Sequence, residues 1–212
     1  VWDLANKSAF VEEGLRCLEK VIRATRRKKV AVALGFIDRG EEHQKTVSYN
    51  ALAWISGGKL IAKQYKRLLP TYDVFLEDIF FRPGHQSRVI PWQKVNVTLM
   101  ICEDIWDETY AVQPLADLWK ARANFAVNIS ASPFYQGVEQ RRDSVFRKQC
   151  IRYRMPMLYV NQVGAQDDLI FDGRSLFVDE KGKVLFSCPA FEEGLFFYDW
   201  HTRAKTNVSL PP

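Results

Sequence analysis

Short apolar runs recur along this chain, and segments of helical spacing stand between several of them. "KVAVALGFID", "VNVTLMIC", "NFAVNIS" and "MLYVNQV" have strand length and are apolar enough to be buried. "AVQPLADLWKARA" and "EQRRDSVFRKQCIRYR" have helical spacing, the second with a charged face. Near the start, Asn6 or Ser8 is the expected cap of a helix running to about Arg27. Phe10, Leu15, Leu18, Val21 and Ile22 would share its buried face. "KVAVALGFID" then reads as a central strand. In "TVSYNALAWISGGKLIAKQYKR", two strand-like runs flank Gly57 and Gly58, which predicts a tight β-hairpin. A loop rich in Pro, Asp and Gly follows from Leu69 to Gly84, and the last part of the chain alternates short strands with turns. This order predicts an α/β domain of mixed sheets with helices packed outside them.

With 212 residues and 47% hydrophobic content, the chain can bury one substantial core, which suits a single domain. Its 30 basic residues are nearly balanced by 25 acidic ones. The one basic run, "RATRRKKV", falls at the expected helix end, where cations complement the helix dipole. No aromatic-studded basic motif accompanies it, which argues against nucleic-acid binding. The four cysteines, Cys17, Cys102, Cys150 and Cys188, show no CxxC spacing. A disulfide framework or a zinc site is therefore not expected, and a reducing, cytoplasmic setting is. No apolar run approaches the roughly 20 residues needed to span a bilayer, and no signal peptide is legible. The opening "VWDLANKSAF" reads as the interior of something longer.

The chemistry concentrates at "VNVTLMICEDIWD", where an apolar strand ends on Cys102 and is followed at once by Glu103 and Asp104. Acids beside a thiol raise its pKa, so a reactive Cys102 needs a cation from elsewhere in the fold. Without one it is a small core hydrophobe. Lys66 is the candidate cation. It closes a hairpin strand and leads into a loop holding Pro70, Tyr72 and Glu77. Strand alternation puts Ala62, Gln64 and Lys66 on one face and Lys63, Tyr65 and Arg67 on the other. In "NISASPFYQG", Ser130 and Ser132 are either turn-formers or hydroxyls for a polar substrate. His43, His85 and His201 stand away from all these segments, which argues against a Cys–His arrangement.

Taken in order, "KRLLPTYDVFLEDIFFRPG", "LMICEDIWD", "NISASPF" and "MLYVNQVGAQDDLIFDGRSLFVD" resemble the carbon–nitrogen hydrolase (nitrilase) superfamily over nearly the whole chain. More narrowly, they resemble the glutaminase domain of glutamine-dependent NAD+ synthetases. The resemblance implies a four-layer α-β-β-α sandwich across residues 1–212. It also implies hydrolysis of L-glutamine through a thioester, using a Glu-Lys-Cys triad. Position by position, Cys102 matches the nucleophile, Lys66 the triad lysine and Glu77 the additional glutamate beside the triad. Tyr72, Ser132 and Trp106 match substrate-binding positions. Where the family carries a Lys or Arg that binds substrate this chain has Val138, with Arg141 or Arg142 one turn on as replacements. The resemblance implies no metal or cofactor in this domain. ATP and magnesium would belong to an absent synthetase domain of the same polypeptide, and homo-oligomers are expected. The general-base glutamate, with the first strand and helix, is expected ahead of Val1. On that reading the domain is N-terminally truncated and inactive alone. The rival readings are another nitrilase-type amidase and an inactive nitrilase-fold assembly module.

Overall fold

The computed structural model describes residues 4–208. Helix α1 (Ser8–Ala24) leads to three antiparallel strands, β1 (Ala31–Glu42), β2 (Lys45–Ser56) and β3 (Lys59–Tyr65), in the order β1-β2-β3. Ser56 pairs with Lys59 across the two-residue turn. Gly57 and Gly58, with φ of 58° and 78°, supply the left-handed backbone that such a turn demands. A loop containing the one-turn helix α2 (Glu77–Phe80) crosses to a second hairpin, β4 (Val89–Trp92) and β5 (Val95–Ile101). Helices α3 (Pro114–Lys120) and α4 (Val138–Tyr153) then carry the chain to β6 (Phe125–Ser130) and β7 (Met157–Asn161). Strands β5, β6 and β7 are mutually parallel. A small hairpin follows, β8 (Val163–Gln166) with β9 (Leu169–Asp172). Strands β10 (Leu176–Val178) and β11 (Val184–Ser187) extend the large sheet, and β12 (Leu195–Tyr198) pairs with β13 (Lys205–Val208). The large sheet has the order β11-β10-β7-β6-β5-β4.

Alternation along β2 accounts for the layering. Ala53 and Ile55 pack with Leu18 of α1. Leu52 and Trp54 point the other way, against Ile90, Val97, Leu99, Ile101 and Val127 of the large sheet. The far face of that sheet meets α3 and α4 through Met100, Met157, Tyr159, Leu115, Leu118, Phe146 and Cys150. Helix, small sheet, large sheet and helix pair thus stack in succession. Both β2 and β5 are covered on two faces, which is why they read as continuous apolar runs rather than alternating ones.

Some local expectations are corrected. Strand β1 is an edge of its sheet, since among the described residues it pairs only with β2. Its apolar run reflects cover on its two faces, by α1 and by β6, and a run of that kind carries no information about edges. Helix α1 begins after Lys7, which makes no side-chain cap. The 3-10 turn Leu4–Asn6 precedes it, so neither Asn6 nor Ser8 caps it. It ends at Ala24 rather than Arg27. Thr25 closes it, the hydroxyl donating to the Ile22 carbonyl at 2.8 Å. Phe10 is 41% exposed, and Val11 takes its place in the core.

Two buried clamps hold the loops at the tips of β5 and β6. Cys102 has φ +44°, a left-handed conformation that costs an L-residue about 1–2 kcal/mol. The 3-10 turn Cys102–Ile105 that follows is held by Asp104. Its Oδ1 accepts from the backbone N–H groups of Arg67 (3.0 Å) and Leu68 (2.9 Å), and its Oδ2 from that of Ile101 (3.1 Å). Burial pushes the Asp104 carboxyl up to about 6, against the pull of these three donors and of Lys66. The second clamp is Arg142, 2% exposed. Nη1 donates to Asp172 Oδ1 at 2.7 Å, and Nη2 donates to the carbonyls of Ser132 (2.8 Å) and Pro133 (2.9 Å).

Arg142→Met leaves the fully buried Asp172 with only the longer contact to Arg174 Nε, at 3.8 Å, and is expected to lower the unfolding free energy by about 3 kcal/mol. Adding Asp172→Asn should recover part of that loss, measured by urea denaturation. Asp104 gives a pH signature. Its folded pKa lies above 3.8, so the folded form takes up the proton first. The resulting stability is full below pH 3.8 and is lost as pH rises through about 6. Relative to Asp104→Asn, the wild-type protein should lose on the order of 2–3 kcal/mol between those limits. A constant difference across that window would show that Asp104 does not titrate there.

Candidate active site

The C-terminal ends of the parallel strands converge on one place, where α/β sheets characteristically present reacting groups. Cys102 directly follows the end of β5, while β6 ends at Ser130 and β7 at Asn161. All three line a cavity of about 880 Å³, together with Lys66 and Glu77. The loop after β3 supplies those two. Lys66 continues the strand's alternation, so Gln64 and Lys66 are both buried, at 3% and 1% exposure. Lys63 and Tyr65 point to the other face, where both bond Asp38. The alternation read from the sequence therefore holds through Lys66.

The Lys66 ammonium lies 2.5 Å from Glu77 Oε1. Burial works against its charge, but Cys102 once ionised, together with Glu77 and Asp104, outweighs this and raises its pKa. It is an ammonium at neutral pH. The half-buried Cys102 thiol is pushed up, first by burial and then by Glu77 and Glu103. Lys66 pulls it back down. A thiol in this setting rests protonated and needs a base before it attacks, but the cation that would hold its thiolate is already in place. Glu77 Oε2 is buried without a hydrogen-bond partner.

The remaining expected residues divide between two places. Tyr72 and Trp106 line a neighbouring cavity of about 700 Å³ with Glu103, Tyr110 and Arg141. The Tyr72 hydroxyl donates to Glu103 Oε1 at 2.9 Å, as does that of Tyr110. Burial and the Glu103 charge raise the pKa of both phenols, so they remain donors. Ser132 is turned toward the fold: its N–H donates to Asn161 Oδ1 at 2.8 Å, and its Oγ accepts from Arg142 Nε at 3.3 Å. The serine in the thiol's cavity is Ser130. The sequence raised both serines, and alternation does not separate them; Ser130 is the last residue of β6, whereas Ser132 lies beyond the strand and is captured by Arg142. Of the two acids that follow the thiol, Asp104 binds turn backbone and Glu103 binds the two phenols. Among the described residues, no cluster of three or more His, Cys, Asp or Glu could hold a metal ion, and no helix is long and apolar enough to cross a membrane.

A buried lysine–glutamate pair facing a cysteine at a strand tip is an arrangement for attack on a carbonyl, and the chain as a whole resembles known proteins. Residues 5–202 match the family Carbon-nitrogen hydrolase. A glutamine-dependent NAD(+) synthetase of Synechocystis sp. is 35% identical over 223 residues, covering 98% of this chain and 39% of that protein. Its counterpart in Thermotoga maritima is 35% identical over 209 residues, covering 98% and 35%. The structure of glutamine-dependent NAD+ synthetase from Acinetobacter baumannii, in complex with ADP, superposes with a TM-score of 0.83 at 27% identity. It covers 99% of this chain and 38% of that one. An amidase of the nitrilase superfamily from Nesterenkonia superposes at 0.72 with 18% identity, over 88% of this chain and 66% of that one, a likeness of fold. The chain thus spans less than two-fifths of the length of these synthetases. With a match running through both the thiol and its lysine, the chain belongs to the carbon–nitrogen hydrolase family.

Proposed function

We propose that this chain is the glutamine-hydrolysing part of a glutamine-dependent NAD+ synthetase, releasing ammonia through a thioester on Cys102. The observation that carries the reading is the buried Lys66 ammonium, paired with Glu77 and facing the thiol. The names and identities of the curated relatives supply the substrate class.

In the proposed reaction Cys102 gives its proton to a carboxylate base, and its sulfur forms a bond to the amide carbon. The base is the triad glutamate that the family resemblance implies. Negative charge gathers on the amide oxygen, and Lys66 stabilises it. One such donor typically contributes a factor of about 10²–10³ in rate. The intermediate collapses with cleavage of the C–N bond, and the proton returns to the leaving nitrogen, which departs as ammonia. Water, deprotonated by the same carboxylate, then cleaves the thioester to glutamate and restores the thiol. The ammonia would be used by a synthetase domain of the same polypeptide.

In the complete protein, Cys102→Ala should abolish glutamate release from glutamine, with a loss of at least about 10³-fold. A diazoketone analogue of glutamine should add mass at Cys102 in the wild type only. Retention of a substantial part of the activity by the alanine variant would remove Cys102 from the mechanism.

Lys66→Met should cost about 10²–10³-fold in kcat. Lys63→Met, on the opposite face beside Asp38, should stay within about threefold, the scatter of a surface change. Because Lys66→Met leaves Glu77 buried and unpaired, the double variant Lys66→Met/Glu77→Gln serves as the folded control. Equal losses at positions 63 and 66 would sink the assignment of Lys66.

A further inference from the structure

The second cavity holds two opposite charges that, among the described residues, have no ion-pair partner. Glu103 is 4% exposed, and its carboxylate accepts from the Tyr72 and Tyr110 hydroxyls. Among the described residues no cation comes within 4.0 Å of it, and no carboxylate within 4.0 Å of Arg141. Both groups line the same cavity of about 700 Å³. The rim charges differ, because Lys148 and Glu108 approach each other at 4.0 Å. A buried carboxylate left without a counter-charge is costly, and a bound group that supplies one offsets the cost.

The local geometry gives each charge free bonding capacity. Two hydroxyl protons occupy about half of the four acceptor positions of a carboxylate, so Glu103 can still take an ammonium. Arg141 sits in the first turn of α4 with its guanidinium 5.2 Å from the Trp106 ring centre. Its Nη1 donates to the Tyr135 hydroxyl at 3.2 Å. Stacking on an aromatic face orients the guanidinium and leaves donors for a planar, two-pronged acceptor. The neighbouring basic side chain cannot do this, because Arg142 is buried and committed to Asp172, Ser132 and Pro133. Val138, 2% exposed, is part of the core.

We propose that Arg141, stacked on Trp106, binds the α-carboxylate of an amino-acid substrate whose ammonium rests on Glu103. This deepens the glutamine reading and rests on it. The amide-bearing side chain then runs past Tyr72, which lines the same cavity, toward the thiol next to Glu103.

The test is equilibrium binding to the complete protein carrying Cys102→Ala, so that nothing turns over. Two probes are compared: L-glutamine, and 4-aminobutanamide, which keeps the amide and the ammonium and lacks the carboxylate. Arg141→Met should weaken L-glutamine by about 10- to 100-fold, the worth of a charged hydrogen-bonded pair. It should change 4-aminobutanamide by less than about threefold. Arg141→Lys should recover only part of the loss, because an ammonium lacks the fork. Lys148→Met, at the paired rim, should affect both probes little. Equal weakening of both probes by Arg141→Met, or no weakening of either, would overturn the assignment while leaving the glutamine reading standing. A protein that binds neither probe yet hydrolyses a simple amide such as propanamide in its wild-type form would overturn both.

Discussion

A lysine ammonium buried to 1% exposure is the constraint around which the site is built. Removing an ion of that size from water costs several kcal/mol, so it persists only where opposite charge meets it closely. Glu77 meets it at 2.5 Å, and that requirement shapes the chain between them. The Lys66 N–H donates to the Asn50 carbonyl, and the Lys66 carbonyl accepts from Gly84 N–H, so both ends of the crossing loop are stitched at one residue. Only glycine serves at 84, since a Cβ there would lie 2.7 Å from the Tyr65 carbonyl oxygen. The closed loop presents Glu77 to the lysine and Tyr72 to Glu103 in one stroke. Geometry at the thiol is thus inherited from a charge-burial problem solved some distance along the chain.

The acids around the thiol answer the puzzle posed by their sequence. Glu103, Asp104 and Asp107 crowd one short stretch, which ought to suppress a neighbouring thiolate. Each is occupied differently. Asp104 binds three backbone N–H groups, and Asp107, fully buried, accepts from the Gln149 side chain at 2.9 Å and from Leu115 N–H at 3.3 Å. Glu103 turns to two phenols. Carboxylates acting as acceptors for fixed donors are structural parts, and the field at sulfur is left to Lys66, Glu77 and Glu103.

Much of this was legible in the residues, and the rest was hidden for identifiable reasons. Strand and helix order, the Gly57–Gly58 turn and the depth of Lys66 follow from period and alternation, which are local properties. Cys102 and Lys66 could be paired because each made sense only with the other. What escaped depends on contacts between distant segments. The edge position of β1 was invisible because two covered faces read like a central strand. The capture of Arg142 by Asp172 lies across 30 residues, so its neighbour Arg141 could not be singled out beforehand. Ser132 looked like a ligand for polar substrate because a serine's type says nothing about whether its hydroxyl faces a cavity or an arginine.

The left-handed turn at Cys102 has a consequence for how this protein responds to selection. The residue that carries the chemistry also carries backbone strain, and the strain is independent of sulfur. Glycine, or to a lesser extent asparagine, would relax it. A library sorted for thermal endurance alone would therefore drift toward losing the nucleophile, gaining stability as it lost its reaction. Hardening this protein for use calls for a screen that scores turnover at every round, with position 102 closed to variation.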